Sequence, residues 1–250
     1  MNDAVEIAGD PDRAGPFIFS CEHASNRLPF DLRATDAERA LLADHWGWDI
    51  GAANVARAMA AGLGCQAVFA NFSRLVVDPN REPKDDTYIV REIDGHALSF
   101  NADIEASEHM RRTRELFEPY HAAVDEVMAR RIALGPPVHL VTVHSFTPVY
   151  LGSPRPMEIG VLFDDYDRDA WEVEQALAAQ GFESALNEPY SGQGPGALIY
   201  SARRHGRAHG IKYLELEIRQ DLIDTARSAR EVASRIAGAL DAFRPPNRRT

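Results

Sequence analysis

Two histidines follow short, mostly apolar runs of this 250-residue sequence. His23 comes just after Phe17–Cys21, and His144 ends the run 138–144. Such runs predict buried strands, and in open parallel α/β sheets ligands bind just beyond the carboxyl ends of the strands. A histidine there can also be a hydrogen-bonded residue that only ends its strand. A third strand that carries polar groups, described below, favours a shared site.

Asp49 is the carboxylate that we expect beside these histidines. It stands at the start of a predicted helix, so capping of free backbone N–H groups is the alternative role. Glu22 or Asp44 could take its place as the acidic ligand. Two imidazoles and one carboxylate, with a fourth position left open, form a common catalytic zinc arrangement. The sequence has no HExxH motif, which excludes a helix-borne metalloprotease site.

Glu217 lies on a third informative run, 211–220. Apolar residues alternate there with Glu215, Glu217 and Arg219, which is the pattern of a strand with one polar face. Burying two like carboxylates on one face costs several kcal/mol unless partners offset it. An edge strand with a wet face is one explanation, and a central strand whose polar face lines a site is the one we favour. Glu217 could then take a proton from a metal-activated water and pass it to a leaving nitrogen.

Arg81 has no apolar periodicity around it that would explain its position. Its guanidinium offers a planar fork that matches a carboxylate in two hydrogen bonds. A salt bridge to a neighbouring acidic residue is the alternative.

Composition limits the function classes. Hydrophobic residues make up 45% and charged residues 26%, as in ordinary globular proteins, and the net charge of −11 argues against nucleic acid or an anionic membrane as partner. Cys21 and Cys65 form no CxxC pair, so we expect free thiols in a reducing cytoplasm. No apolar run of membrane-spanning length or signal-peptide pattern is present.

The elements that must position these residues alternate between strand and helix patterns. Strands are predicted at 17–21, 66–70, 138–144, 157–163, 183–185 and 211–220, and helices at about 36–43, 50–61, 105–134 with a kink at Pro119, 167–179, 196–205 and 226–243. We expect 71–81 to be strand-like and 82–102 to be a lid or binding loop. The alternation predicts a single α/β domain over 1–250, with loose termini at 1–15 and 245–250.

Six segments together resemble the N-formylglutamate amidohydrolase family, from about Phe17 to about Ala239. They are 20–29, 44–49, 78–81, 142–146, 187–192 and 215–222. The resemblance implies a three-layer α/β/α fold with a mostly parallel mixed sheet, of the phosphorylase/hydrolase-like, zinc exopeptidase type. It implies that a His, an acidic residue and a His hold zinc, that a Glu ending a late strand is the base, and that an Asp-x-Asn-Arg segment binds the substrate carboxylate.

The segments around the expected metal differ from those of better-known family members. Cys21-Glu22 and Ala24-Ser25-Asn26 flank His23 where those members carry Pro-His-Ser-Gly, and Gly47 stands where a His is expected. These differences bear on the identity of the substrate more than on the chemistry.

The hypothesis from sequence is zinc-dependent hydrolysis of an N-acyl, in particular an N-formyl, acidic amino acid. His23, Asp49 and His144 are the expected ligands of one Zn²⁺ or another divalent ion, and Glu217 is the expected base. The candidate substrate contacts are Asn80, Arg81, Arg74, Arg219 and Ser145. The alternatives are a zinc amidase that acts on a longer acyl group or a peptidoglycan stem, and a metal-free binding protein for acidic metabolites.

Overall fold

A seven-stranded sheet forms the centre of the protein in the computed structural model, which describes residues 3–29 and 32–246. In the described residues the strands are β1 (Val5–Ala8), β2 (Phe17–Cys21), β3 (Gln66–Ala70), β4 (Glu92–Ile93), β5 (His96–Ala97), β6 (His139–Phe146), β7 (Val149–Tyr150), β8 (Ser153–Pro154), β9 (Ile159–Leu162), β10 (Ser184–Leu186) and β11 (Tyr213–Arg219). The order in the main sheet is β1-β3-β2-β6-β11-β9-β10, and β4-β5 and β7-β8 form two small hairpins.

The sheet is mixed but mostly parallel. β3, β2, β6 and β11 run in one direction, β9 and β10 run in the opposite direction, and β1 pairs antiparallel with β3. The carboxyl ends of β2, β6 and β11 therefore meet at one edge of the sheet. This arrangement brings the three chemically interesting strand ends together.

Helices cover both faces of the sheet, which gives three layers. They are α1 (Asp36–Ala43), α2 (Ala52–Leu63), α3 (Ala106–Arg112), α4 (Glu118–Ala133), α5 (Asp167–Ala179), α6 (Tyr200–His209) and α7 (Ala226–Ala239). One apolar core lies between the sheet and α2, α5 and α7, and the other between the sheet and α4 and α6. The predicted fold class, α/β with a mostly parallel mixed sheet, is confirmed.

The two faces of the central strands differ in polarity. On β6 and β11 the side chains of Val141, Val143, Leu214 and Leu216 enter the α2–α7 core. The alternate side chains begin apolar on the α4–α6 side and become polar toward the carboxyl ends, where Thr142, His144, Glu215 and Glu217 lie. The polar face of β11 is therefore buried, and β11 is a central strand with neighbours on both sides.

Local sequence signals explain several helix ends. Thr35 and Glu38 form a reciprocal capping box at the start of α1, and Thr225 and Ser228 do so for α7. Gly64 ends α2 in the left-handed conformation that favours glycine.

Four sequence predictions differ from the structure. Residues 5–8 are an edge strand and not part of a loose leader, because their backbone pairs with β3. Residues 71–81 form turns held by side-chain bonds, without ladder pairing. The predicted helix 105–134 contains a π-helical turn at Thr113–Phe117, just before Pro119, whose missing N–H cannot continue the regular bonding. The helix predicted from 196 begins at Tyr200.

No helix within residues 3–29 and 32–246 is long and apolar enough to cross a membrane. The predicted loose residues 247–250, with the basic residues among them, lie outside the described part of the chain.

Candidate metal centre and active-site pocket

The structure brings His23, Asp49 and His144 together at the carboxyl edge of the sheet. The Nδ1 atom of His144 lies 2.8 Å from Oδ2 of Asp49 and 3.2 Å from Nδ1 of His23. The His23 Nδ1 atom lies 3.4 Å from the same carboxylate oxygen. All three side chains are buried. Three atoms that can bind a metal therefore face one another in one small space.

The other nitrogen of each ring faces a second carboxylate. Nε2 of His23 lies 2.8 Å from Oδ1 of Asp78, and Nε2 of His144 lies 3.0 Å from Oε2 of Glu22. A carboxylate only accepts hydrogen bonds, so Nε2 of His23 carries a proton and its Nδ1 lone pair is left for a metal. The contact between His144 and Glu22 is an ion pair. Such partners commonly fix the tautomer and orientation of metal-binding histidines.

Glu22 lies behind His144, on the side of the ring away from Asp49. Its Oε1 atom accepts hydrogen bonds from Tyr120, Ser201 and Ser20 at 2.7, 2.7 and 2.9 Å. Its Oε2 atom faces the Nε2 side of His144, away from the cluster of Nδ1 atoms. Asp44 lies exposed at the end of α1. Of the three acidic candidates, Asp49 alone faces both Nδ1 atoms.

Asp49 does not cap α2, because Gly51 occupies that position with φ +83°. The free side chain of Asp49 accepts a hydrogen bond from the Ser145 backbone N–H at 3.2 Å and forms an ion pair with Arg74. The backbone N–H of Asp49 donates to the His23 carbonyl at 2.9 Å, which ties the two ligand segments together. The position that suggested helix capping therefore presents a carboxylate to the histidines.

The ligand set fits a small divalent ion. Ligands about 2.1 Å from a tetrahedral ion are roughly 3.4 Å apart. The separations of 3.2 and 3.4 Å agree with this spacing, and the separation of 2.8 Å is shorter. Imidazole and carboxylate ligands suit zinc and several other first-row metals. The His–Asp–His cluster is thus suited to hold a metal ion.

Glu217 lies in the same pocket, on the strand next to His144. The two residues are register partners in the parallel pairing of β11 with β6. Burial raises the pKa of Glu217 to about 7, although the positive charge on His144 opposes this shift. Among the described residues its Oε2 atom has no hydrogen-bond partner. A buried carboxylate with a pKa near neutrality is suited to both accept and return a proton.

Without a metal, the electrostatics of the two histidines differ. Burial disfavours the imidazolium of His144, but Glu215 and Glu22 outweigh it and raise the pKa to about 10. Burial and the Arg74 cation lower the pKa of His23 to about 4. Asp78 stays ionised beside His23, because His23 and Arg81 outweigh burial and lower its pKa. The carboxylates Glu22 and Glu215 therefore favour positive charge on the His144 side of the cluster, whereas Arg74 opposes it on the His23 side.

A pocket of about 410 Å³ opens from the cluster toward solvent. Arg74, Asn80, Arg81 and Ser145 line it, together with the three cluster residues and Glu217. Apolar and aromatic side chains form much of the remaining wall, namely Trp46, Leu75, Val90, Ile93, Tyr150, Tyr190 and Leu198.

The candidate substrate contacts differ in how freely they can reach a ligand. Arg81 donates to Thr87 Oγ1 at 3.1 Å and to the Asn80 carbonyl at 2.9 Å, which aims it along the pocket wall. The Asn80 side chain is used internally, since it donates to the Leu198 carbonyl and accepts from the Ser201 N–H, both at 2.9 Å. The Ser145 hydroxyl donates to the Ile50 carbonyl at 3.0 Å.

Arg219 lies outside the set of residues that line this pocket. Its guanidinium donates to the Pro156 carbonyl and pairs with Asp221, both at 2.9 Å. It therefore supports the segment that leads into β9 and is not in a position to contact a ligand beside the cluster.

Fold and site together define an α/β protein in which a cluster of potential metal ligands lies beside a buried carboxylate. The sequence profile of the N-formylglutamate amidohydrolase family matches residues 15–224, and the chain belongs to this family. The predicted resemblance is confirmed, and the protein is a hydrolase that acts on amide bonds. A metal-free binding protein is thereby disfavoured.

Two solved structures are similar over almost the whole chain. The gene product Atu2144 from Agrobacterium tumefaciens has a TM-score of 0.86 and 31% identity, covering 96% of this chain and 94% of that one. The N-formylglutamate amidohydrolase from Ralstonia eutropha JMP134 has a TM-score of 0.71 and 18% identity, covering 96% and 97%. A search of curated proteins found no match.

Sequence reasoning gave no separate role to several residues that shape the site. Asp78 was visible only as part of the Asp-x-Asn-Arg segment, and Glu22 only as an alternative ligand. Tyr120 was visible only as an apolar position of a helix, although it donates to Glu22 from 98 residues away. Pairing every buried acidic residue with a candidate histidine would have indicated the two carboxylates, but not which ring each one faces.

Proposed function

We propose that this protein hydrolyses the amide bond of an N-acyl, in particular an N-formyl, amino acid with a carboxylate side chain, and that it uses one zinc ion. The observation that carries the proposal is the convergence of His23, Asp49 and His144 in the pocket that Glu217 also lines. Membership of the family and the similarity to the Ralstonia N-formylglutamate amidohydrolase support it.

In this proposal the two Nδ1 atoms and the Asp49 carboxylate hold the ion. When bound there, zinc would polarise the acyl carbonyl and lower the pKa of a water molecule. Asp78 keeps His23 in the tautomer that leaves Nδ1 free, and Glu22 forms an ion pair with Nε2 of His144. Ser145 and Arg74 fix Asp49. These contacts hold the ligands in place before any substrate enters.

Glu217 acts as the proton carrier. As a carboxylate it accepts a proton from the attacking water, and as a carboxylic acid it returns that proton to the amine nitrogen that leaves. Burial supports both steps, because a pKa of about 7 keeps the two forms close in free energy at neutral pH.

Arg81 is the proposed partner of the substrate carboxylate. It lines the pocket, and its guanidinium is directed by Thr87 and by the Asn80 carbonyl. We assign Asn80 to holding this segment and not to direct contact, since both ends of its amide are already bonded. Arg74 is committed to Asp49, so its contribution to a second carboxylate is secondary.

One observation favours a second candidate substrate class. The apolar wall that includes Trp46, Val90 and Tyr150 would accommodate an acyl group or side chain larger than that of N-formylglutamate. Another zinc amidase or deacylase, with a longer acyl group, is therefore the alternative.

A substrate panel tests the proposal. Zinc-loaded protein would be assayed with N-formyl, N-acetyl and N-succinyl derivatives of glutamate and leucine, by release of free amine. We expect the highest kcat/KM with N-formylglutamate. A preference for N-formylleucine would remove the carboxylate side chain from the proposal, and a preference for a long acyl group would favour the second candidate.

A further inference from the structure

A chain of hydrogen-bonded side chains lies behind the segment Asp78–Arg81, which carries the proposed substrate contact. The proposed reaction does not use this chain. Nε2 of His121 lies 3.1 Å from the Pro79 carbonyl oxygen, and Nδ1 of the same ring lies 2.7 Å from Nε2 of His205. Nδ1 of His205 lies 2.8 Å from Oδ1 of Asp125, which also accepts from His209 at 2.9 Å. The chain runs from Pro79, which lies between the pocket-lining residues Asp78 and Asn80, to the partly exposed Asp125 and His209.

Hydrogen-bond counting shows how many protons this chain needs. The Pro79 carbonyl can only accept, so Nε2 of His121 must carry a proton. The Asp125 carboxylate can only accept, so Nδ1 of His205 must carry one as well. The contact between the two rings needs a third proton, since two facing lone pairs 2.7 Å apart would repel. Two neutral imidazoles supply only two protons.

We propose that His121 and His205 together hold one proton more than two neutral rings, and that this buried cation fixes the Pro79 carbonyl and with it the segment Asp78–Arg81. Both histidines are positioning residues. Asp125 supplies the balancing negative charge from α4, and the rings lie at the contact between α4 and α6.

The extra proton is assigned to His205 because this ring bonds directly to the Asp125 carboxylate, whereas His121 bonds to a neutral carbonyl. Burial together with His205 and with Arg204 of α6 lowers the pKa of His121 well below the usual value, although Glu22, which follows β2, and the bond to Pro79 oppose this shift. His205 bonds directly to Asp125, which stays ionised because its bonds to His205 and His209 outweigh burial and lower its pKa to about 2. The aromatic rings of Phe117, Tyr120 and Tyr200 enclose the remaining faces of His121.

The segment held in this way carries two functions of the proposed site. Asp78, before Pro79, orients His23, and Arg81, two residues after it, is the proposed substrate contact. The helix that carries His205 also holds Asn80 directly, through the Ser201 N–H. Loss of the third proton would leave one contact of the chain without a hydrogen. Either the two rings face each other with lone pairs, or His121 turns its single proton toward His205 and the Pro79 carbonyl loses its donor.

Nitrogen NMR of the full-length protein with ¹⁵N-labelled histidine tests the proton count without any assay of turnover. We expect both ring nitrogens of His205 to be protonated at neutral pH, and Nε2 but not Nδ1 of His121. A spectrum in which each ring carries a single proton would overturn the proposal. The matched variants are Asp125→Asn, which removes the balancing charge, and His209→Gln, which removes a bond to Asp125 without interrupting the chain.

Kinetics of the same variants test the positioning role, and this part rests on the proposed function. Asp125→Asn should lose the third proton at neutral pH and raise KM for the preferred substrate about tenfold, with a smaller change in kcat. His209→Gln should keep the protonated signature and a KM within about twofold of wild type. An Asp125→Asn variant that loses the proton but keeps its KM would refute the positioning role while leaving the proposed function intact.

Discussion

Glu217 and His144 are register partners on adjacent parallel strands, so their side chains leave the sheet on the same face. Neighbouring strands lie about 5 Å apart, so the ladder itself sets the separation between the proposed base and one proposed ligand. Neither residue depends on a mobile loop for its position. Because both are buried, a change at either one also changes the electrostatics of the other.

Glu217 should make the metal-free protein less stable as pH rises. Burial raises its folded-state pKa from 4.5 to about 7, so the folded chain keeps a proton that the unfolded chain releases in this interval. Stability is lost as pH rises through about 7, and Glu217→Gln removes the loss. We expect this variant without metal to exceed metal-free wild type by about 3 kcal/mol near pH 8, and by much less near pH 4.5.

Urea unfolding of chelator-treated protein at the two pH values measures this difference. Glu183→Gln, at an exposed glutamate just before β10, is the matched control and should follow wild type. Equal stabilities of wild type and Glu217→Gln at both pH values would contradict the prediction.

Asp78 should affect metal affinity without being a ligand. Asp78→Asn keeps the size of the side chain but removes the charge that holds the Nε2 proton of His23. We expect the dissociation constant of zinc to rise about 10- to 100-fold. Competition with a coloured chelator measures it, and Asp85→Asn, at an exposed residue of the same loop, should bind as wild type does. An unchanged affinity in Asp78→Asn would show that His23 needs no such partner.

Arg81 should determine affinity for the substrate carboxylate. Arg81→Ala is expected to raise KM for an acidic N-formyl substrate by about 10- to 100-fold, because a charge-assisted bidentate contact is lost. The effect on kcat should be smaller. Arg219→Ala removes another guanidinium, one held by Pro156 and Asp221 outside the pocket, and should leave KM nearly unchanged. If the two variants exchange these effects, the substrate carboxylate binds elsewhere.

Gly51 should be required for the placement of Asp49. Its φ is +83°, and a Cβ there would lie 2.2 Å from the Ile223 carbonyl oxygen. Gly51→Ala should destabilise the fold by about 1–3 kcal/mol and weaken metal binding through the displaced Asp49 segment. Gly62→Ala, inside the helix that Gly51 caps and with open space around it, should stabilise by about 0.5–1 kcal/mol. Thermal unfolding compares the two, and a harmless Gly51→Ala would contradict the prediction.

The sequence predicted the sheet strands best where apolar runs are continuous. The runs at 17–21, 66–70 and 138–144 are buried on both faces, so burial alone identifies them. The edge strand Val5–Ala8 was missed because its mixed exposure resembles a loose terminus. The turns at 71–81 were also missed, since their bonds come from residues distant in sequence, such as Tyr88, Leu198 and Ser201.

The residues that could react or bind a metal were easier to predict from the sequence than the contacts that hold them in place. His23, His144 and Glu217 could be selected because a polar side chain at the end of a buried strand costs free energy unless it has a bonding partner. Such a side chain therefore indicates a site. The separation of Asp49 from Glu22 depends on which ring nitrogen each carboxylate faces, and only three-dimensional packing decides this. Arg219 looked equivalent to Arg81 by residue type, yet backbone carbonyls near Pro156 occupy it.

Metal content measured together with turnover is the most direct test of the proposed centre. Wild type, Glu217→Gln and His144→Ala would be purified, loaded with zinc, dialysed and examined by elemental analysis and by hydrolysis of N-formylglutamate. We predict about one ion per chain in wild type and in Glu217→Gln, at least about a 100-fold loss of kcat in Glu217→Gln, and loss of both metal and turnover in His144→Ala. Full turnover by metal-free wild type, or by Glu217→Gln, would contradict the proposed mechanism.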